Sequence, residues 1–216
     1  MKACVVIPAY NEAATIGRVL GLVPRSFTPI VVDDGSTDDT AKNATGYCQL
    51  LRHEKNKGAG AAIKTGLQAA LEQGFGVIST LNADLQHPPQ LLPTLAHPLL
   101  SGEADAVFGS RLSRESGGTM PLERWLGNKI ATRIVNFRAG THYSDVLCGM
   151  RCYSPKAAQV VVSCREDGYG FEAATALALA REKMRVKEVA IPAIDGPDKG
   201  NWLAVAWQSA LAALSR

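Results

Sequence analysis

Nowhere in these 216 residues does an apolar run approach the roughly 18 residues that a membrane-spanning helix requires. The opening stretch Met1-Lys2-Ala3-Cys4-Val5-Val6-Ile7 is too short for a secretory signal, and Pro8 stops it. Also missing is a basic tract interleaved with aromatics. The formal net charge is only +3, the lysines and arginines are spread along the chain, and aromatics make up 6%. That pattern argues against nucleic acid as a partner. Cysteine is sparse and odd in number: Cys4, Cys48, Cys148, Cys152 and Cys164. Cys148 and Cys152 lack the paired arrangement of a zinc site, so the five read as reduced, mostly buried thiols of a cytoplasmic protein. Repeats and low-complexity linkers are absent too. What remains has the composition of an ordinary soluble protein, long enough to bury a substantial core in one domain.

The first half alternates strand and helix signals. Ala3 to Ile7 is a continuous β-branched run, the mark of a central parallel strand buried on both faces. After the loop Pro8-Ala9-Tyr10-Asn11-Glu12, with Asn11 as N-cap, a helix places Ile16, Val19, Leu20 and Val23 on one side. Pro29 to Val32 forms a second strand. Asp33 to Asp39 forms a turn-rich loop whose later acids cap the next helix, and Tyr47 to Leu51 forms a third, shorter strand. The glycine loop Lys55 to Gly60 fits no phosphate-binding fingerprint. Ile63 stands where a P-loop needs glycine before Lys64-Thr65, and no apolar strand leads in. Its glycines predict close packing of the following helix, to about Gln73, on the sheet.

Strand Gly76 to Leu81 runs into Asn82-Ala83-Asp84-Leu85-Gln86-His87-Pro88-Pro89. Short-spaced oxygen ligands at the C-terminal end of a strand suit a hard divalent cation bridging a diphosphate. His87, ahead of a proline pair, reads as a packed loop residue. A helix from Pro89 to Leu100, a strand from Ala104 to Phe108, and a polar, glycine-rich, mobile loop from Arg111 to Thr119 follow. Beyond lie a helix through Leu122, Trp125, Leu126, Ile130 and Ile134, and a strand entered from Ser144-Asp145. Short helices follow from Pro155 and Phe171, then a strand from Met184 to Ile191, a second flexible stretch from Pro192 to Gly200, and an apolar helix from Trp202 to Leu214. The pattern predicts an α/β fold with a mostly parallel central sheet flanked by helices.

Four segments together carry a resemblance: Val5 to Glu12, Val31 to Asp38, Asn56 to Ala62, and Asn82 to Pro89. Weaker echoes run through Gly109-Ser110-Arg111, Ser144-Asp145 with Cys148 to Tyr153, Phe171-Glu172 and Ile191-Pro192. The chain resembles the inverting family 2 glycosyltransferases of GT-A (Rossmann-like) fold, most closely the polyprenyl-phosphate branch typified by dolichyl-phosphate mannose synthase. The resemblance implies a single catalytic domain over 1–216, with a nucleotide-sugar half (1–110) and an acceptor half (111–216).

It also implies a site. Pro8, Tyr10, Glu12, Val32 and Asp34 match the base and ribose contacts. Asn82, Ala83, Asp84 and Gln86 match the metal and diphosphate motif, for Mg²⁺ or Mn²⁺. Arg111 matches a basic residue over the diphosphate and the acceptor phosphate, with Arg124 and Arg151 on the acceptor side and Lys199 as a mobile lysine near the diphosphate. Relatives carry aspartate where Asn82 stands, and the lost charge predicts weaker metal binding. Asp84, Arg111 and Asp145 are the catalytic candidates. A phosphate acceptor is already anionic and needs no strong base; for a hydroxyl acceptor, Asp145 is the nominated carboxylate.

Three readings follow. The first is hexose transfer from GDP-mannose or UDP-glucose to a polyprenyl phosphate, at the cytoplasmic face of a membrane. The second is transfer to a soluble saccharide or small-molecule hydroxyl. The third is a non-catalytic relative that binds sugar nucleotides. The joint presence of Asp34, Asp84, Gln86 and Arg111 argues against the third.

Overall fold

The computed structural model describes residues 1–168 and 170–194. These form one seven-stranded sheet with strands β1 (Ala3–Ala9), β2 (Phe27–Asp33), β3 (Gln49–Arg52), β4 (Val77–Thr80), β5 (Ala106–Ser110), β6 (Arg151–Tyr153) and β7 (Val186–Ala190), in the spatial order β3-β2-β1-β4-β6-β5-β7. All neighbouring pairs are parallel except those of β6, which runs antiparallel between β4 and β5. Helices α1 (Ile16–Leu22), α2 (Thr40–Ala44), α3 (Ala59–Glu72), α4 (Leu92–Leu100), α5 (Leu122–Ala139), α6 (Pro155–Val162) and α7 (Phe171–Arg181) flank the sheet. Among the described residues no helix is long and apolar enough to cross a membrane.

The expected buried strands are present because their side chains have apolar neighbours above and below. Val5 and Ile7 face one core with Ile16 and Leu92, while Cys4 and Val6 face the other with Leu67 and Phe171. Helix α3 packs closest at Gly66, where a Cβ would stand 2.3 Å from Cγ1 of Val6. The glycine loop Lys55 to Gly60, which the sequence marks for that role, does not fill it. Instead Gly58 (φ 99°) and Gly60 admit the backbone at Asp167, whose carbonyl accepts from Gly60 N at 3.0 Å.

Other expectations change as well. Asn11 is not an N-cap. It takes a left-handed conformation (φ 55°), donates its N–H to Ser36 Oγ at 2.9 Å and accepts from Thr37 N at 3.0 Å, stapling the loop after β1 to the loop after β2. The Arg111–Thr119 segment is tethered rather than loose: Ala193 N donates to Gly117 O at 2.8 Å, and Ser116 Oγ donates to Ser110 O at 2.6 Å.

Helix α5 lies where the spacing puts it, but its apolar stripe points outward. Leu122, Trp125, Leu126, Ile130 and Phe137 are exposed, whereas Gly127, Ala131, Thr132 and Val135 form the buried face. Small residues let that helix lie close to the body and leave its large side chains to the outside. The loop from Pro192 is described only to Ile194, so Lys199 and the Trp202–Leu214 helix lie outside the described residues.

Candidate active site

In an open α/β sheet, ligands bind beyond the carboxyl ends of strands where the strand order reverses. Here β1 leads outward to β2 and β3, and the chain then crosses to place β4 on the other side of β1. The loops after β1 and β4 therefore form the two lips of one crevice. Each holds a non-glycine residue in the left-handed region, Asn11 and Leu85 (φ 63°), a conformation kept only where the surroundings enforce it.

The first lip carries Pro8, Tyr10 and Glu12. Tyr10 is 45% exposed, a ring available to a ligand. Glu12 is held by Thr15, whose hydroxyl donates to its Oε2 at 2.8 Å, while its own N–H donates to Thr40 Oγ1 at 2.7 Å. Next to it, Val32 is fully buried in β2, and Asp34 follows one residue beyond the strand with its N–H on Ala9 O at 2.8 Å. Asp34 accepts from Lys57 N (3.0 Å) and Gly58 N (2.8 Å), and its Oδ1 lies 2.6 Å from His53 Nδ1. The carboxylate thus orders the glycine loop ahead of α3. His53 escaped the sequence reading, since a histidine before Glu54-Lys55 looks like an ordinary surface residue.

The second lip continues from Thr80 into Asn82 and Asp84, both half-buried, with Ala83 packed beneath. Asp84 Oδ1 accepts from Gln86 N at 3.0 Å, closing the turn at Leu85. Asn82 packs against Gly149, where a Cβ would stand 2.7 Å from its Oδ1. Gln86 Oε1 accepts from Arg124 Nη2 at 3.1 Å and so faces α5. Among the described residues no group of three or more His, Cys, Asp or Glu side chains converges. The oxygen donors Asp84 and Asn82 fit a hard cation in kind, but a cation there would depend on charge brought by a diphosphate.

Beyond this lip Gln86, Arg111, Thr119, Met120, Pro121, Arg124, Ala193 and Ile194 line a small cleft. Arg111 meets Asp145 bidentately, Nε to Oδ2 at 2.7 Å and Nη2 to Oδ1 at 3.0 Å, and its backbone N–H donates to Oδ2 at 3.1 Å. Asp145 is fully buried. Burial pushes its carboxyl up, but the adjacent guanidinium and its hydrogen bonds outweigh that and hold it below the usual range. For Arg111 the same pairing outweighs burial and keeps it charged. With both oxygens on Arg111, Asp145 is not placed to act as a base. It orients the arginine.

Arg151 is also corrected. It is 1% exposed, donates to the carbonyls of Cys148 (2.9 Å), Val146 (2.6 Å) and Glu172 (3.1 Å) and to Thr175 Oγ1 (2.8 Å), and stacks on Phe108. It braces the segment that carries Asp145 and is not among the residues that line the Arg111–Arg124 cleft. Glu188 of β7, which no sequence signal singles out, holds the same segment by accepting from Ser144 N (2.8 Å) and Asp145 N (3.0 Å). His87 is buried, with Nε2 3.5 Å from Cys148 Sγ. Burial, reinforced by Arg111 and Arg124, pushes it down to about 3, so it is neutral and packed, as the sequence suggested.

A model of glycosyl transferase family 2 matches residues 4–161. The chain belongs to this family. Among curated relatives of this glycosyltransferase, a UDP-N-acetylglucosamine–dolichyl-phosphate N-acetylglucosaminyltransferase from Methanococcus voltae is 30% identical over 212 residues, spanning 88% of this chain and 84% of the relative. An undecaprenyl-phosphate mannosyltransferase from Micrococcus luteus is 30% identical over 210 residues, spanning 90% and 84%. Among solved structures, glucosyl-3-phosphoglycerate synthase from Mycobacterium tuberculosis, in complex with Mn²⁺, UDP and phosphoglyceric acid, superposes with a TM-score of 0.81 at 20% identity over 99% of this chain and 77% of that one. That likeness bears on the fold, which is GT-A as the motifs imply.

Proposed function

We propose that this glycosyltransferase moves a hexose, with inversion, from a nucleotide diphosphate sugar to a polyprenyl phosphate, with 1–216 serving as one catalytic domain. The observation that carries the acceptor class is the setting of the arginine cleft. Arg111 and Arg124 line it, and Arg124 belongs to α5, whose outward face presents Leu122, Trp125, Leu126, Ile130 and Phe137. The same helix carries Lys129, Arg133 and Arg138 against the single acid Glu123. An outward apolar face studded with cations suits a helix lying in the headgroup layer of an anionic bilayer. A phosphate-binding pair at its edge then meets a lipid phosphate at the depth where that group sits. The names of the two curated relatives, which act on dolichyl and undecaprenyl phosphate, support the same reading.

In this reading Pro8, Tyr10, Glu12, Val32 and Asp34 seat the nucleoside. Arg111 and Arg124 grip the acceptor phosphate through guanidinium forks, which match phosphate geometry. Arg111 is pre-aligned by Asp145, so little ordering is left to do when the acceptor arrives. The acceptor oxygen is itself the nucleophile, being anionic at neutral pH. A Mg²⁺ or Mn²⁺ held by Asp84 and Asn82, as in neighbours of the same fold solved with Mn²⁺ or Mg²⁺ and UDP, would supply Lewis-acid neutralisation of the leaving diphosphate.

The second reading, a soluble acceptor, draws on the phosphoglyceric acid named in the structural neighbour, whose phosphate two arginines would also grip. The exposed face of α5 favours the lipid. Incubation with UDP-hexoses and GDP-mannose, plus Mn²⁺, tests it by mass spectrometry of products from undecaprenyl phosphate, dolichyl phosphate and 3-phosphoglycerate. Glycolipid without glycosylated phosphoglycerate is the expected result. Glycosylated phosphoglycerate alone would replace the lipid reading.

A further inference from the structure

Carboxylates accept hydrogen bonds at about four lone-pair positions, two on each oxygen. On Asp34 three of these are occupied from within the protein. His53 Nδ1 (2.6 Å) and Lys57 N (3.0 Å) fill Oδ1, and Gly58 N (2.8 Å) takes one position on Oδ2. The histidine is itself pinned from behind, its Nε2 2.9 Å from Thr65 Oγ1 on α3. Because a carboxylate only accepts, Nδ1 carries the proton, and this network assigns the tautomer. His53 is 8% exposed and Asp34 2%, so neither can swing aside without opening the packing of α3. One acceptor position, on Oδ2, is left unfilled by these contacts.

We infer that His53, by closing Oδ1, restricts the donor nucleotide to uridine, making this residue the determinant of base specificity. The inference rests on the reading that a nucleotide sugar seats its base on Asp34. Uracil presents a single N–H, at N3, and one open position satisfies it. Guanine presents N1–H and the 2-amino group side by side, a pair that engages both oxygens of a carboxylate. With Oδ1 closed, its second N–H would find no acceptor on Asp34. Leaving one buried donor unsatisfied costs about tenfold or more in affinity. Cytosine and adenine present a ring-nitrogen lone pair at the equivalent place, which a carboxylate repels. The substrate class is therefore a UDP-sugar rather than a GDP-sugar.

Calorimetric titration of the full chain with UDP, GDP and CDP in the presence of Mg²⁺ tests this. UDP is expected to bind at least about tenfold more tightly than GDP or CDP. GDP binding as tightly as UDP overturns the inference while leaving the nucleotide-sugar reading in place. Binding of none of the three overturns both. His53→Phe removes the donor and reopens Oδ1, so the UDP-to-GDP affinity ratio should shrink several-fold. His53→Asn, which keeps an N–H near the position of Nδ1, should retain the ratio. A His53→Phe variant that weakens UDP and GDP equally would reduce His53 to a packing residue and overturn the inference. If that variant does not fold, His53→Leu, which also lacks the donor, takes its place in the comparison with the same two outcomes.

Discussion

Replacing Asp145 by asparagine isolates the part of the cleft that the structure specifies most tightly. The carboxylate sits behind Arg111 at 0% exposure and receives two guanidinium bonds, at 2.7 and 3.0 Å, and a backbone bond at 3.1 Å. The Arg111 side chain is only 9% exposed, so losing its counter-charge strands a cation in a poorly hydrated place. Breaking one partner of such a buried pair costs about 3–5 kcal/mol, and asparagine, which keeps one acceptor oxygen, puts the expected loss near about 3 kcal/mol. For a chain of this length that lowers the melting temperature by roughly 6–12 °C.

The dependence on pH has a definite sign. Asp145 is held below its ordinary value once folded, so its contribution is complete above the unfolded pKa of about 3.9 and fades as pH falls below that through the folded value. Melting curves of wild type and Asp145→Asn should therefore stay parallel from pH 8 to 5 and converge only in stronger acid. Transfer to the lipid acceptor should fall with a raised acceptor KM, because Arg111 is no longer aligned. A double variant, Arg111→Met with Asp145→Leu, should recover stability relative to Asp145→Asn without recovering transfer. An Asp145→Asn protein that melts with wild type and transfers at the wild-type rate would refute the account of this pair.

The remaining predictions concern other parts of the crevice. Asn82→Asp adds a carboxylate beside Asp84 and should tighten Mn²⁺ binding in the presence of nucleotide, measured by calorimetry; unchanged affinity would remove Asn82 from the cation's contacts. Trp125→Glu with Ile130→Glu, both on exposed positions of α5, should leave the melting temperature within about 2 °C while abolishing sedimentation with anionic vesicles. Burial pushes the thiols of Cys4, Cys148 and Cys152 up to about 12, so a disulfide reagent at pH 8 should leave them unmodified until the chain is denatured, as peptide mass mapping can check.

Why part of this was legible in sequence is a matter of which residues face water. The first half announces itself because β1 and β2 are buried on both faces and read as unbroken apolar runs, and because each ends in a loop whose turn residues have few alternatives. Strand β6 has three residues, and one of them, Arg151, is a buried cation that no hydrophobic pattern reveals. Its acceptor-side placement rests on the family resemblance alone, which says nothing of whether the side chain is buried. Its pairing partners are carbonyls of a loop and two groups on α7, which become visible only when the chain is folded. The apolar spacing of α5 gave the helix correctly but not its orientation, since periodicity marks a face without saying what covers it. His53 and Glu188 gave no signal at all, for the same reason: their partners are 19 and more than 40 residues away.

Those misread residues share a function in the geometry. Arg151 and Glu188 fix the segment from Ser144 to Cys148, that segment fixes Asp145, and Asp145 fixes Arg111 at the cleft. On the opposite lip His53, Lys57 and Gly58 fix Asp34 in the same manner. The settings of Arg111 and Asp34 thus each depend on a buried charge whose partners come from a distant part of the chain. Such groups hold their positions before any ligand arrives, which is the condition for charged side chains to stabilise transferred charge without first reorganising. The bond from Arg124 to Gln86 then joins α5 to the second lip, tying the helix that would lie on a membrane to the loop that would hold the diphosphate. A change in the tilt of α5 on a bilayer would thereby reach Asp84 through a single hydrogen bond and the turn at Leu85.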